Sequence, residues 1–85
     1  MTRLAVIGCG YVGAVSAACL AELGHEVECV DTDRARVAAL QEGRSPIFEP
    51  GLEELLKRGV DRGLLPFRDS YPHRIHSDIV FIAVN

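Results

Sequence analysis

The stretch Val6–Asp33, VIGCGYVGAVSAACLAELGHEVECVDTD, decides how the chain is read. Just ahead of its glycines, RLAVIG (Arg3 to Gly8) is short, β-branched and apolar on both faces. A strand buried inside a parallel sheet has that character. From Val12 the larger apolar residues Val12, Val15, Cys19, Leu20 and Leu23 recur at steps of three and four, which predicts a helix with that stripe inward and Gly24 as its stop. EVECVD (Glu26 to Asp31) alternates acidic and apolar side chains and predicts a second strand.

This frame gives Gly8, Gly10 and Gly13 their meaning. A lone GxGxxG is a weak signal, because glycine triplets arise by chance. Here the triplet follows a strand, opens a helix, and is answered by Asp31 at the end of the next strand, 18 residues beyond Gly13. The acidic partner of a dinucleotide fingerprint is expected about 20 residues on. Gly8 permits the tight turn, Gly10 lets the backbone approach a pyrophosphate, and Gly13 lets the helix pack close to the strand. The helix N-terminus offers unpaired amides and a positive dipole end to the phosphates. Asp31 can accept hydrogen bonds from both adenosine ribose hydroxyls and would repel a 2′-phosphate, so NAD is expected over NADP. FAD shares the fingerprint and is the less favoured alternative. Arg36 is the nearest basic residue, its other reading being a solvated helix position.

Further along, Asp33 is placed to cap a helix carrying Val37 and Leu40, ended by Gly43. GRSPIFEPG reads as a loop, and Pro50 suits the first turn of a third helix with Leu52, Leu55 and Leu56 on one face. LLPFRDS predicts a short strand, YPHRIHS a weak element of at most one helical turn, and DIVFIAVN (Asp78 to Asn85) a clear strand. The alternation predicts an α/β fold, a Rossmann-like doubly wound parallel sheet of which these residues are the N-terminal portion. Because a parallel strand needs both faces covered, the final apolar strand suggests the front part of a longer protein.

Composition narrows the partners. The chain has 85 residues, a formal charge of −3 and scattered basic residues, which argues against a nucleic-acid partner. No apolar run approaches the roughly 20 residues that span a bilayer, so no membrane partner is expected. An odd count of cysteines without CxxC spacing fits a reducing, cytoplasmic compartment. Cys9 lies in the glycine turn, but no neighbouring base activates it, and it reads as a small residue under the cofactor. Cys19 and Cys29 read as core residues. His73 and His76 lack a third ligand and read as a surface turn, and His25 has no evident partner. Glu49, Glu53 and Glu54 read as charge around a helix start rather than as paired catalytic carboxylates. No catalytic or metal-binding residue is expected in this stretch.

GCGYVGAVSAACLAELGHEV, VDTDRARVAALQEGRSPIFEPGLEELL and DIVFIAVN together resemble the amino-terminal domain of the UDP-glucose and GDP-mannose dehydrogenases. GYVG followed by SPIFEPGLEELL is far more specific than the glycines alone. The resemblance implies oxidation of a nucleotide sugar's C6 alcohol to a carboxylate with two NAD in sequence, UDP-glucose being favoured and GDP-mannose second. It implies that a thiol holds the aldehyde-level intermediate before hydrolysis of a thioester. It places NAD contacts at Gly8, Gly10, Tyr11, Val12 and Gly13, the ribose at Asp31, and the adenosine phosphate near Arg36. It also places a cofactor-touching turn after FIAVN, so that Val84 and Asn85 reach it. The family's catalytic cysteine and lysine, its sugar-nucleotide domain and the helix that makes its homodimer lie beyond these residues, and none of the three cysteines matches the catalytic thiol. FRDSYPHRIHSD departs from the family, where a helix is usual and Pro72 disfavours one. Two other readings stay open: a different NAD dehydrogenase, such as a 3-hydroxyacyl-CoA type, and a stand-alone NAD-binding module.

Overall fold

A computed structural model describes residues 2–45, 48–70 and 77–84. In chain order the elements are β1 (Arg3–Ile7), α1 (Tyr11–Glu22), β2 (Glu26–Val30), α2 (Arg34–Gln41), α3 (Leu52–Asp61), β3 (Phe67–Arg68) and β4 (Ile79–Ile82). All four strands run parallel in the order β3-β2-β1-β4. The α/β Rossmann-like fold expected from the sequence is the one observed.

The strands are short and apolar at their centre because β1 lies between two neighbours. Leu4 to Ile7 are all buried, and β2 matches them one for one, from Arg3 opposite Glu26 to Ile7 opposite Val30. Alternate residues face the helices: Leu4, Val6, Val27, Cys29 and Phe67 cluster with the alanines of α1 and with Val37, Leu40, Leu52 and Leu56. Glu26 and Glu28 take the intervening positions on β2 and pair with Arg3 and Arg68. β4 differs from β1, since Ile79, Val80, Phe81 and Ile82 are all substantially exposed.

The inward face of α1 is not the expected one. Gly13, Ala14, Ala17, Ala18 and Ala21 are buried, whereas Val12, Cys19 and Leu23 are exposed and Val15 and Leu20 pack only at the margin. Close approach explains the difference. The helix lies against the sheet and against α3, where a Cβ on Gly59 would already sit 3.3 Å from the Ala21 Cβ. Only small side chains fit that gap, so the bulkier apolar residues are displaced to the rim. Cys29 is buried as expected.

The caps follow local chemistry. Asp33 Oδ1 accepts the Arg36 amide and starts α2, as its sequence position predicts. The third helix starts two residues later than Pro50 at its first position would require, at Leu52 behind Gly51. Glu53 and Glu54 stand in its first turn, and Glu53 Oε2 accepts the Ser45 amide, tying the preceding loop to the helix. His25 has a partner after all, because its Nδ1 accepts the Thr2 amide at 3.3 Å. The expected turn containing His73 and His76 lies outside the described residues.

The packing of α1 makes a clear distinction between neighbouring positions. Cys19→Ser should change stability by less than about 0.5 kcal/mol. Ala17→Val should destabilise by about 1–3 kcal/mol through overpacking. Chemical denaturation of both variants checks the pair.

Candidate functional site

The carboxyl ends of β1, β2 and β4 meet where the strand order reverses, the place at which open α/β sheets hold ligands. Gly8 closes β1 there. Its amide donates to the Val30 carbonyl at 2.7 Å, and its φ of 102° belongs to the region that side chains avoid. A Cβ on Gly8 would stand 2.8 Å from the Ala83 carbonyl oxygen and 3.0 Å from Val84 Cγ1, so the turn also draws in the end of β4. Gly13 serves closeness, since a Cβ there would collide with the Gly8 carbonyl oxygen.

Gly10 is different. Among the described residues nothing beyond its chain neighbours lies within 4 Å of a Cβ built on it, so this backbone is open on that side. It is also the N-cap of α1, with no side-chain cap and no acidic residue in the first turn. The leading amides and the positive end of the helix dipole are left to an outside acceptor. Tyr11 and Val12 are exposed at the same end, and the Tyr11 hydroxyl donates to Glu49 Oε2 at 3.4 Å.

Asp31 forms the opposite wall just past β2. Its Oδ2 accepts the Cys9 amide at 2.8 Å and Arg36 Nη1 at 3.1 Å, while Oδ1 accepts the Asp33 amide at 2.8 Å. Burial pushes the Asp31 carboxyl up, but the bonds from the Asp33 and Cys9 amides and from Arg36 outweigh it and hold the group below the usual carboxylate value. A carboxylate offers about four acceptor positions, and three are engaged, so capacity remains for a hydroxyl donor.

Gly8, Gly10, Tyr11, Val12, Gly13, Asp31, Arg36 and Val84 therefore converge at one end of the sheet, while Asn85 lies outside the described residues. An open notch edged by backbone amides suits a pyrophosphate, and a part-buried anion beside it suits a diol; a dinucleotide has both. Cys9 is fully buried in the glycine turn. Its side chain enters the core and meets Cys29, and its backbone amide joins Asp31 to the turn. That bond and the Ala83 carbonyl over Gly8 carry no signal in local sequence, because their partners are far apart along the chain.

Residues 2–85 match the family model described as UDP-glucose/GDP-mannose dehydrogenase family, NAD binding domain. The chain is 52% identical over 83 residues to a UDP-glucose 6-dehydrogenase of Pseudomonas aeruginosa, covering 96% of this chain and 18% of that protein. It is 43% identical over 83 residues to a GDP-mannose 6-dehydrogenase of Pseudomonas syringae pv. syringae, covering 96% and 19%. Among solved structures, a UDP-glucose dehydrogenase from Pyrobaculum islandicum superimposes with a TM-score of 0.91 at 45% identity, covering 99% of this chain and 20% of that one. A GDP-mannose dehydrogenase from Pseudomonas aeruginosa, solved as a ternary complex, gives 0.92 at 43%, covering 98% and 19%. The chain thus spans about a fifth of the length of the curated relatives it matches.

The lowered Asp31 value sets a pH dependence. Its contribution to stability is fully present above the ordinary aspartate value of about 3.9 and is lost as pH falls through the lower folded value. The stability gap between wild type and Asp31→Ala should be widest near neutrality and close in acid. Denaturant titrations at a series of pH values check it.

Proposed function

The chain belongs to the UDP-glucose/GDP-mannose dehydrogenase family as its NAD-binding domain, and from that premise we propose that it serves an oxidoreductase converting UDP-glucose to UDP-glucuronate. One observation carries the choice of sugar: over 83 residues in each case, identity is 52% with a UDP-glucose enzyme and 43% with a GDP-mannose enzyme. GDP-mannose is the second reading.

NAD, when bound, supplies hydride acceptance, twice for each sugar taken from alcohol to acid. The residues of this chain bind and orient it. Gly10 admits the pyrophosphate against the start of α1, and Tyr11 and Val12 supply amides and packing. Gly8 and Gly13 keep the turn and helix close enough for that approach. Asp31 accepts a hydroxyl of the adenosine ribose and disfavours a 2′-phosphate, while Arg36, held on Asp31, borders the adenosine phosphate. Val84, beside Gly8, borders the turn from the side of β4. The thiol and lysine that the resemblance implies belong to other parts of the protein, so these residues alone hold the oxidant without turning over a sugar. A homodimer working in the cytoplasm, independent of membranes, completes the proposal. Among the described residues no helix is long and apolar enough to cross a membrane.

In the purified full-length protein, UDP-glucose should yield two NADH per sugar by absorbance, with GDP-mannose slower. Absence of NADH with either sugar would remove the reading. Asp31→Ser should weaken NAD by roughly ten- to a hundredfold, the range for losing hydrogen bonds to a charged group. Calorimetry with NAD and NADP should show the preference between them narrowing.

A further inference from the structure

We propose that Cys9 and Cys29 are a latent disulfide, an oxidisable pair that locks the glycine turn onto β2. Their sulfurs stand 2.6 Å apart in the core, 20 residues apart in sequence. That is inside the roughly 3.5 Å at which unbonded heavy atoms rest and about half an ångström from a bonded separation of about 2.05 Å. Both are free thiols with no exposed surface. The backbone is already aligned, since the Cys9 amide bonds Asp31 two residues past Cys29, and Cys29 faces Val6 in the register of β1 and β2. Closing the bond needs little movement of either strand.

The two thiols have different roles. The hydrogen bond shared with the Cys9 sulfur, then burial, then the electrostatic influence of Cys9 and Asp31 push the Cys29 thiol far up, so it stays protonated. Cys9 lies on the turn between β1 and α1, next to exposed Tyr11 and Val12, and a local opening of that turn brings it to solvent. A peroxide is the oxidant. The Cys9 sulfur attacks one peroxide oxygen, the O–O bond breaks, and a sulfenic acid and water form. The Cys29 sulfur then attacks the Cys9 sulfur, the S–O bond breaks, and the hydroxyl leaves with the Cys29 proton as a second water. Two thiols and one hydrogen peroxide give one disulfide and two waters.

Exposed Cys19 is a built-in control. The purified protein is treated with hydrogen peroxide, alkylated and digested with trypsin, which leaves Cys9, Cys19 and Cys29 on one peptide from Leu4 to Arg34. The expected peptide is lighter by two hydrogens and alkylated at Cys19 alone. Cleavage after Glu22 and Glu28 leaves the Cys9 and Cys29 pieces linked until reduction. Closing this loop should raise Tm by on the order of 5 °C, reversed by dithiothreitol. Cys29→Ala should lose both the link and the rise. Free thiols at Cys9 and Cys29 while Cys19 is fully oxidised would overturn the proposal, as would Cys19-linked dimers or a sulfinic acid at Cys9 as the main product. The wild-type peptide map decides the matter even where the variant does not fold.

Discussion

The contact between the first turn of α1 and the Gly8 carbonyl is the constraint on which the rest of the domain depends. Backbone meets backbone there, with no room for a Cβ on Gly13. That approach fixes how near the helix lies to the sheet, and so which of its residues can face inward. It also sets where the helix begins and leaves Gly10 as an uncapped end facing open space. One close contact thus links an alanine-lined core to an anion-receptive rim.

A second tie works across the strands. Asp31 gathers the Cys9 amide from the turn, the Asp33 amide at the entry to α2, and the Arg36 guanidinium from that helix. The groups that flank the notch are therefore held in place before any ligand arrives. Preorganisation of this kind reduces the ordering that binding must otherwise supply. Arg36 also partly neutralises the carboxylate, so this wall of the notch is a bonded pair rather than an isolated charge.

Much of this was legible in the residues. Strand β1, the glycine turn, Asp31 at the end of β2, the Asp33 cap and the Leu52 and Leu56 face of α3 all rest on patterns within a few positions, which periodicity and capping chemistry can read. The inward face of α1 was not legible by hydrophobicity, because Val12 and Leu23 rank above alanine in apolarity but not in thinness. What decides there is separation between elements, a tertiary quantity. For the same reason the Arg36–Asp31 pair could be anticipated from neighbouring positions, whereas the Tyr11–Glu49 contact and the Cys9–Cys29 pair could not. Their partners lie 38 and 20 residues apart.

β4 has a consequence of its own. Among the described residues it lies at one end of the strand order, with Ile79, Val80, Phe81 and Ile82 all open to solvent. A margin of unpaired backbone bordered by bulky apolar side chains is adhesive, and natural sheets blunt such margins with charge, proline or cover. Handled alone, these 85 residues would behave as a self-associating material whose apparent size grows with concentration, however well the opposite side of the sheet is packed.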